Sequence, residues 1–246
     1  MRYESHLIEG RFLNRYKRFF AKVELSENGT RKSIVAHVAN TGSLRGVCEV
    51  PNPCRVAFHD NPKRKLKYSL EQIQIGTACV GVNTHLANDL VAEAFEMKLF
   101  KHWRHLVGMQ REFKISDKTR LDFRLEDARG GYHFVEVKSV SMAAREHKNP
   151  QQKAITIAQF PDSPTVRGQK HLEELMALVQ LGHSAEIFFV VQRTDAEAFS
   201  PAEQIDVKYA ELLRSAHKMG VRVSAFAVNF SAEAAALLST PLKILL

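Results

Sequence analysis

The chain has 246 residues, 45% of them apolar and 25% charged, a length at the boundary between one domain and two and a composition that excludes a disordered polymer. Its net charge of +8 is lopsided: residues 1–78 carry 14 Lys and Arg against 7 Asp and Glu, and the remainder 21 against 20. Three cysteines with no C-x-x-C pair argue against a disulfide framework or a zinc knuckle, and no glycine-rich nucleotide loop supports nucleotide-cofactor chemistry.

The opening MRYESHLIEG lacks an apolar h-region, and the longest apolar run, IFFVV at 187–191, is too short to cross a bilayer. A cytoplasmic protein without a membrane partner is expected. Residues 8–78 read as short strands punctuated by Gly29, Gly42, Gly46 and the Pro51/Pro53 pair, without a helix. That pattern predicts a small β-barrel, a fold that often binds oligonucleotides on its open face. Within it RYKRFF alternates Arg15, Lys17 and Arg18 with aromatic rings, which suits stacking of bases in a groove; core packing of Phe19 and Phe20 is the competing reading. The turn NPKRKLK places Lys63, Arg64, Lys65 and Lys67 together as candidate phosphate contacts.

From Asn88, taken as an N-cap, the period becomes helical, with Leu90, Val91, Ala94, Phe95 and Met97 as an apolar stripe. A strand near Met109–Lys114 and a hairpin over 120–140 follow. Ser141–Arg167, polar with three prolines, is predicted to be an excursion outside the core. A helix over Gly168–Leu181, a strand over Glu186–Gln192, a helix over Asp206–Met219 and a strand over Arg222–Val228 complete an α/β domain with a mixed sheet.

The hairpin RLDFRLEDARGGYHFVEVKSV carries charges inside its strands. Leu121, Phe123 and Leu125 are expected on one face, with Asp122 on the other. Pairing Glu126 with Tyr132 places Asp122 opposite Glu136, about 4.5–5.5 Å apart at Cα and on one face. Two carboxylates so close repel by roughly 4 kcal/mol at 4 Å and an effective dielectric of 20. One must hold a proton, or cations must neutralise the pair. Lys138 offsets one charge. A hard divalent ion, Mg²⁺ or Mn²⁺ rather than zinc, suits the oxygens and prepares a water to attack a phosphodiester. A partly exposed strand pair is the plainer alternative. Arg167, Gln169, Lys170 and His171 open the second helix, where backbone amides attract phosphate, and Gln192 with Arg193 ends a buried strand.

An Asp followed by E-V-K on adjoining strands resembles the PD-(D/E)XK nuclease core. More specifically, the chain resembles the sugar fermentation stimulation protein A family over nearly its whole length. The stretches that carry the likeness are RYKRFFAKVEL, NTGSLRG, NPKRKLKYSLE, VGVNTHLAN, RLDF, FVEVKSVS, FPDSPTVRGQKHLEEL, FFVVQR and IDVKYAELL, in that order. The resemblance implies an OB-fold β-barrel over residues 1–80 and a PD-(D/E)XK nuclease-like α/β domain with a mixed sheet over 81–246, α+β overall. It also implies DNA binding. Asp122, Glu136 and Lys138 become the catalytic triad, and Glu93, with Glu96 as its neighbour, the additional acid. The metal ligands would be Asp122, Glu136 and Glu93; Gln169, His171 and Gln192 are accessory candidates. Ala39 before NTGS, Leu44 after it, and His85-Leu86-Ala87 before Asn88 depart from the family pattern without touching the triad. Metal-dependent hydrolysis of DNA is the first functional expectation, and a non-cleaving DNA-binding regulator of sugar metabolism the second. RNA as a partner and a homodimer stay open.

Overall fold

A computed structural model describes residues 1–27, 29–49, 51–116, 119–146 and 154–246. Among these, the first part holds strands β1 (Ile8–Tyr16), β2 (Phe20–Glu27), β3 (Thr30–His37), β4 (Asn52–Phe58), β5 (Tyr68–Ile75) and β6 (Ala78–Gly81), in sheet order β3-β2-β1-β4-β5-β6. The first five close on themselves, because β3 also pairs with β5 through Ala36–Tyr68 and His37–Ser69. Closure removes the sheet edges that would otherwise invite association. Alternation explains what fills the barrel. Val23 and Leu25 of β2 point inward to Phe12, Val56, Leu70 and Ile73, while Lys22 and Glu24 lie on the other face. Each large apolar side chain so buried contributes about 1.5–3 kcal/mol. The closed barrel matches the expected fold.

The second part begins with α1 (Leu86–Glu96) and continues through β7 (Leu106–Ser116), β8 (Thr119–Asp127), β9 (Tyr132–Val140), β10 (Ala143–Glu146) and β11 (Ile155–Phe160). It ends with α2 (Val166–Gln180), β12 (Ser184–Val191), β13 (Ala198–Pro201), α3 (Val207–Lys218), β14 (Arg222–Phe230), β15 (Ala235–Pro241) and β16 (Lys243–Ile244). The main sheet runs β15-β14-β12-β9-β8-β7. Its centre, β9, β12 and β14, is parallel and its flanks are antiparallel, so the sheet is mixed as expected. Helix α1 packs Leu90, Val91 and Ala94 on the face bearing Phe123, Leu125, Val135 and Val137. Helices α2 and α3 pack Leu172, Leu175, Tyr209 and Leu213 against Phe134, Ile187 and Phe189 on the other. Among the described residues, no helix is long and apolar enough to cross a membrane.

Three expectations are corrected. Helix α1 starts at Leu86 with His85 at its cap, not at Asn88; the Asn88 side chain is instead committed to Asp122. Residues 141–167 are not wholly an excursion, since β10 and β11 join β13 and β16 in a second sheet with Ile157 and Ala158 buried. The middle of that stretch, 147–153, lies outside the described residues. Leu121 does not share a face with Phe123 and Leu125. It packs with Phe134 and Leu172 on the other face; beyond Phe123 strand β8 is no longer paired with β9 and stays paired with β7 alone.

Candidate metal and nucleic-acid site

The end of the β8–β9 pairing at Asp122 opens the site. Strands β8 and β9 pair in the expected register from Glu126–Tyr132 to Phe123–Val135. The next step would be Asp122 opposite Glu136, but there the Asp122 carboxylate replaces a backbone partner. Its Oδ2 accepts from the Val137 amide at 2.7 Å, and its Oδ1 from Asn88 Nδ2, also at 2.7 Å. Asp122 is thereby fixed between the start of α1 and the middle of β9.

Glu136 lies on the face of β9 opposite the Val135 and Val137 packing, only 3% exposed. Its Oε1 accepts from Lys138 Nζ and from His171 Nδ1 of α2. Arg167 Nε approaches His171 Nε2 at 3.4 Å, which leaves the ring proton on Nδ1 to donate to Glu136. Glu136 Oε2 is buried and has no hydrogen-bond partner among the described residues.

These contacts divide the two acids. Burial pushes the Asp122 carboxyl up to about 6, and the charge of Glu136 adds to the shift against the pull of Val137, Lys138 and Asn88. Burial acts on Glu136 in the same direction, but Lys138 and His171 outweigh it and hold that carboxyl below the ordinary range. The pair therefore carries one firmly ionised carboxylate and one that takes up a proton as pH falls through about 6.

Both acids line a cavity of about 690 Å³ between the barrel and the α/β part. Lys138, His171 and Arg167 share it, with Asn88 and Asp89 from α1 and Thr41 and Gly42 from the barrel. The fit to a divalent ion can be judged from the oxygens. Among the described residues, no three His, Cys, Asp or Glu side chains form a ready cage. Two carboxylates, one with a buried oxygen lacking a partner, beside an open cavity suit Mg²⁺ or Mn²⁺, which keeps several waters and needs one or two carboxylates. The residues fit such an ion.

Other expected site residues are dispersed. Glu93 does not join the acids; its Oε2 pairs with the Met1 amino group at 2.6 Å. Asp89, one turn earlier, lines the cavity instead and pairs with Arg111 at 2.5 Å. Arg15 donates to the carbonyls of Asn40, Gly42 and Ser43, bracing a barrel loop, while Lys17 and Arg18 are exposed beside it. Phe19 is also exposed and Phe20 stacks on Tyr16. Lys63, Lys65 and Lys67 are exposed on the β4–β5 turn, where Arg64 bonds Ser69. Lys170 reaches Thr119, away from the cavity lining. Gln169 binds Asp206 at the start of α3. Gln192 spans to Asn83 and Ser139 at the seam between the two parts. Asp89 and Arg111 went unnoticed in the sequence; the only signal was the N-D pair at a helix start.

Residues 13–82 match the family model described as SfsA N-terminal OB domain, and residues 85–234 the model described as sugar fermentation stimulation protein RE domain. The chain belongs to the sugar fermentation stimulation protein family. A sugar fermentation stimulation protein homolog of Bdellovibrio bacteriovorus is 43% identical over 99% of this chain and 100% of its own length. One from Magnetococcus marinus is 41% identical over 92% of each chain. The solved structure of Pyrococcus furiosus SfsA in complex with Ca²⁺ superposes with a TM-score of 0.83 at 27% identity, covering 100% of this chain and 98% of that one.

Proposed function

We propose that this family member binds DNA and hydrolyses its phosphodiesters, with Mg²⁺ or Mn²⁺ held by Asp122 and Glu136. The observation that carries the reading is the buried Oε2 of Glu136, without a hydrogen-bond partner among the described residues, beside an Asp122 carboxyl raised to about 6. Ca²⁺ in the relative from Pyrococcus furiosus is consistent with a hard-ion site in this family. When bound, the ion supplies Lewis-acid stabilisation of charge on the phosphoryl oxygens.

The chain's own groups divide the remaining work. Asn88 and the Val137 amide fix Asp122, and His171 fixes Glu136. Lys138, lining the cavity, orients or deprotonates the attacking water and faces the negative charge that develops. Arg167 offers a second cation to the phosphate. In this reading the barrel, residues 1–80, holds nucleic acid, and residues 81–246 perform the chemistry.

Plasmid and linear DNA incubated with Mg²⁺ or Mn²⁺ test the proposal. The parent protein is expected to cut, and Asp122→Asn and Lys138→Ala to lose at least about a hundredfold in rate. DNA retained equally by all three proteins without cutting would point to the non-cleaving regulator instead.

A further inference from the structure

Strands β7 and β8 turn over together beside the acids. Met109, Phe123 and Leu125 pack on the face toward α1, whereas Phe113, Ile115 and Leu121, at the same parity, pack toward α2 and α3. A regular strand keeps residues of one parity on one face. The ribbon therefore reverses between the Arg111–Phe123 and Phe113–Leu121 pairs, and the residues bracketed by those pairs are Glu112 and Asp122. Both line the carboxylate cavity.

Glu112 makes the turn on β7 with a φ of 52°. In that left-handed region Cβ crowds the following carbonyl, so glycine, or sometimes Asn or Asp, ordinarily fills it. A glutamate inside a strand holds a conformation that glycine would adopt without strain, and residues held so cluster at active sites and ligand clamps. Its side chain is exposed, and among the described residues it has no hydrogen-bond or ion-pair partner. The neighbouring cation does not neutralise it, since Arg111 pairs with Asp89 at 2.5 Å.

A separate observation in the same cavity concerns a ligand. The buried Oε2 of Glu136, without a partner among the described residues, suits a cation independently of Glu112. Glu112 does not complete a cage around such an ion, because among the described residues no three His, Cys, Asp or Glu side chains are grouped to hold one. A water bridges the gap. Mg²⁺ bound by one or two carboxylates keeps several waters, and groups that hydrogen-bond to a metal's ligands strengthen the site.

We propose that Glu112 is a positioning residue of this site: its carboxylate accepts a hydrogen bond from a water on the divalent ion held by Asp122 and Glu136, and the left-handed turn of β7 carries it there. The inference rests on the proposed metal site and adds to it a contact that the spacing of Asp122, Glu136 and Lys138 does not contain.

Manganese titration and melting of the metal-free full chain read the side chain and the turn separately. Free Mn²⁺ is followed by electron paramagnetic resonance for the parent, Glu112→Ala, Glu112→Gln and Glu112→Gly. Glu112→Ala is expected to weaken Mn²⁺ binding about tenfold. Glu112→Gln, whose carbonyl still accepts from a water, should weaken it about threefold or less. Glu112→Gly should weaken it as alanine does, yet raise the metal-free Tm by about 2 °C or more as the turn loses its strain. Glu112→Ala keeps a Cβ and should leave that Tm within about 1 °C of the parent. A purely structural glutamate would not trade affinity for stability in this way. Mn²⁺ bound equally by the parent and Glu112→Ala, but lost in Asp122→Asn, would overturn the role of Glu112 and leave the metal site standing. Equal weakening by glutamine and alanine would put long-range charge in place of the water contact and overturn it as well. A parent that binds no Mn²⁺ would sink the metal site itself, and the role of Glu112 with it.

Discussion

Single buried acids decide how this molecule responds to pH. Glu71 of the barrel accepts both its bonds from Asn83 Nδ2 and is otherwise enclosed. Burial pushes its carboxyl up to about 7, with Asn83 and Arg64 pulling the other way. The folded chain therefore binds this proton more tightly than the unfolded chain does. Stability from this group is fully present below the unfolded value near 4.5 and is lost as pH rises through about 7. A shift of that size corresponds to roughly 3 kcal/mol. Glu71→Gln should flatten the fall in Tm between pH 5 and pH 8 relative to the parent; an unchanged slope would assign the pH response elsewhere. Glu186 shows the opposite sign. It is fully buried, yet His102, His133 and Trp103 bond it, and the two histidines overcome burial and hold its carboxyl down to about 2. Glu186→Ala would leave the buried Trp103 Nε1 and the half-buried His102 and His133 rings without their shared acceptor and should cost about 3 kcal/mol in urea unfolding. A loss below about 1 kcal/mol would mean that water replaces the carboxylate there.

At the scale of elements, one carboxylate sets the starts of two helices. Asp206 accepts from the Tyr209 amide as the cap of α3, and from the Thr165 amide and Gln169 Nε2 at the start of α2. A cap alone contributes about 1 kcal/mol, so with the additional bonds Asp206→Ala is expected to lose about 2 kcal/mol or more, and Asp206→Asn less. Equal losses for both substitutions would show that one remaining amide oxygen does not replace the two carboxylate oxygens that accept from Tyr209 and Thr165. Because α2 carries Arg167 and His171 into the cavity, Asp206→Ala should also slow any cutting by the site. The elements legible in the sequence were those with a clean local period: the β8–β9 hairpin, the helix ending before Gly182, and the helix over Asp206–Met219, whose Asp cap only the structure shows. Strand β11 was not legible, since its pairing with β13 comes from a distant segment while its surroundings are polar and proline-rich. The site was half legible for the same reason. Alternation and register placed Asp122 near Glu136 from local sequence alone. Which acid of α1 faces the cavity depends on where the N-terminus docks, and Met1 captures Glu93 while Asp89 turns inward. His171 reaches Glu136 from another element altogether, so no local pattern could reveal its contact.

Across the whole molecule, the barrel and the α/β part are joined at a close-packed seam with the cavity beside it. The Gly81 amide donates to the Gln192 carbonyl at 2.9 Å, and a Cβ at Gly81 would lie 2.4 Å from the Gln192 Oε1. Such a seam fixes the basic barrel against the acids. If a polyanion enters the cavity as proposed, the excess charge of the first third can act on it from the barrel side. The β4–β5 turn supplies three exposed lysines, Lys63, Lys65 and Lys67, that do not line the cavity. If the polyanion extends over that turn, each lysine displaces about one condensed counterion, contributing about 0.7 to the slope of log K against log salt on a single strand and about 0.9 on a duplex. Replacing all three by alanine should therefore reduce the slope by about 2 on a single strand, measured by anisotropy from about 50 to about 300 mM KCl. The cutting rate at saturating DNA should hold, since these side chains stand apart from the acids. An unchanged slope would remove the turn from the nucleic-acid path and confine binding to the Tyr16–Phe19 side of the barrel.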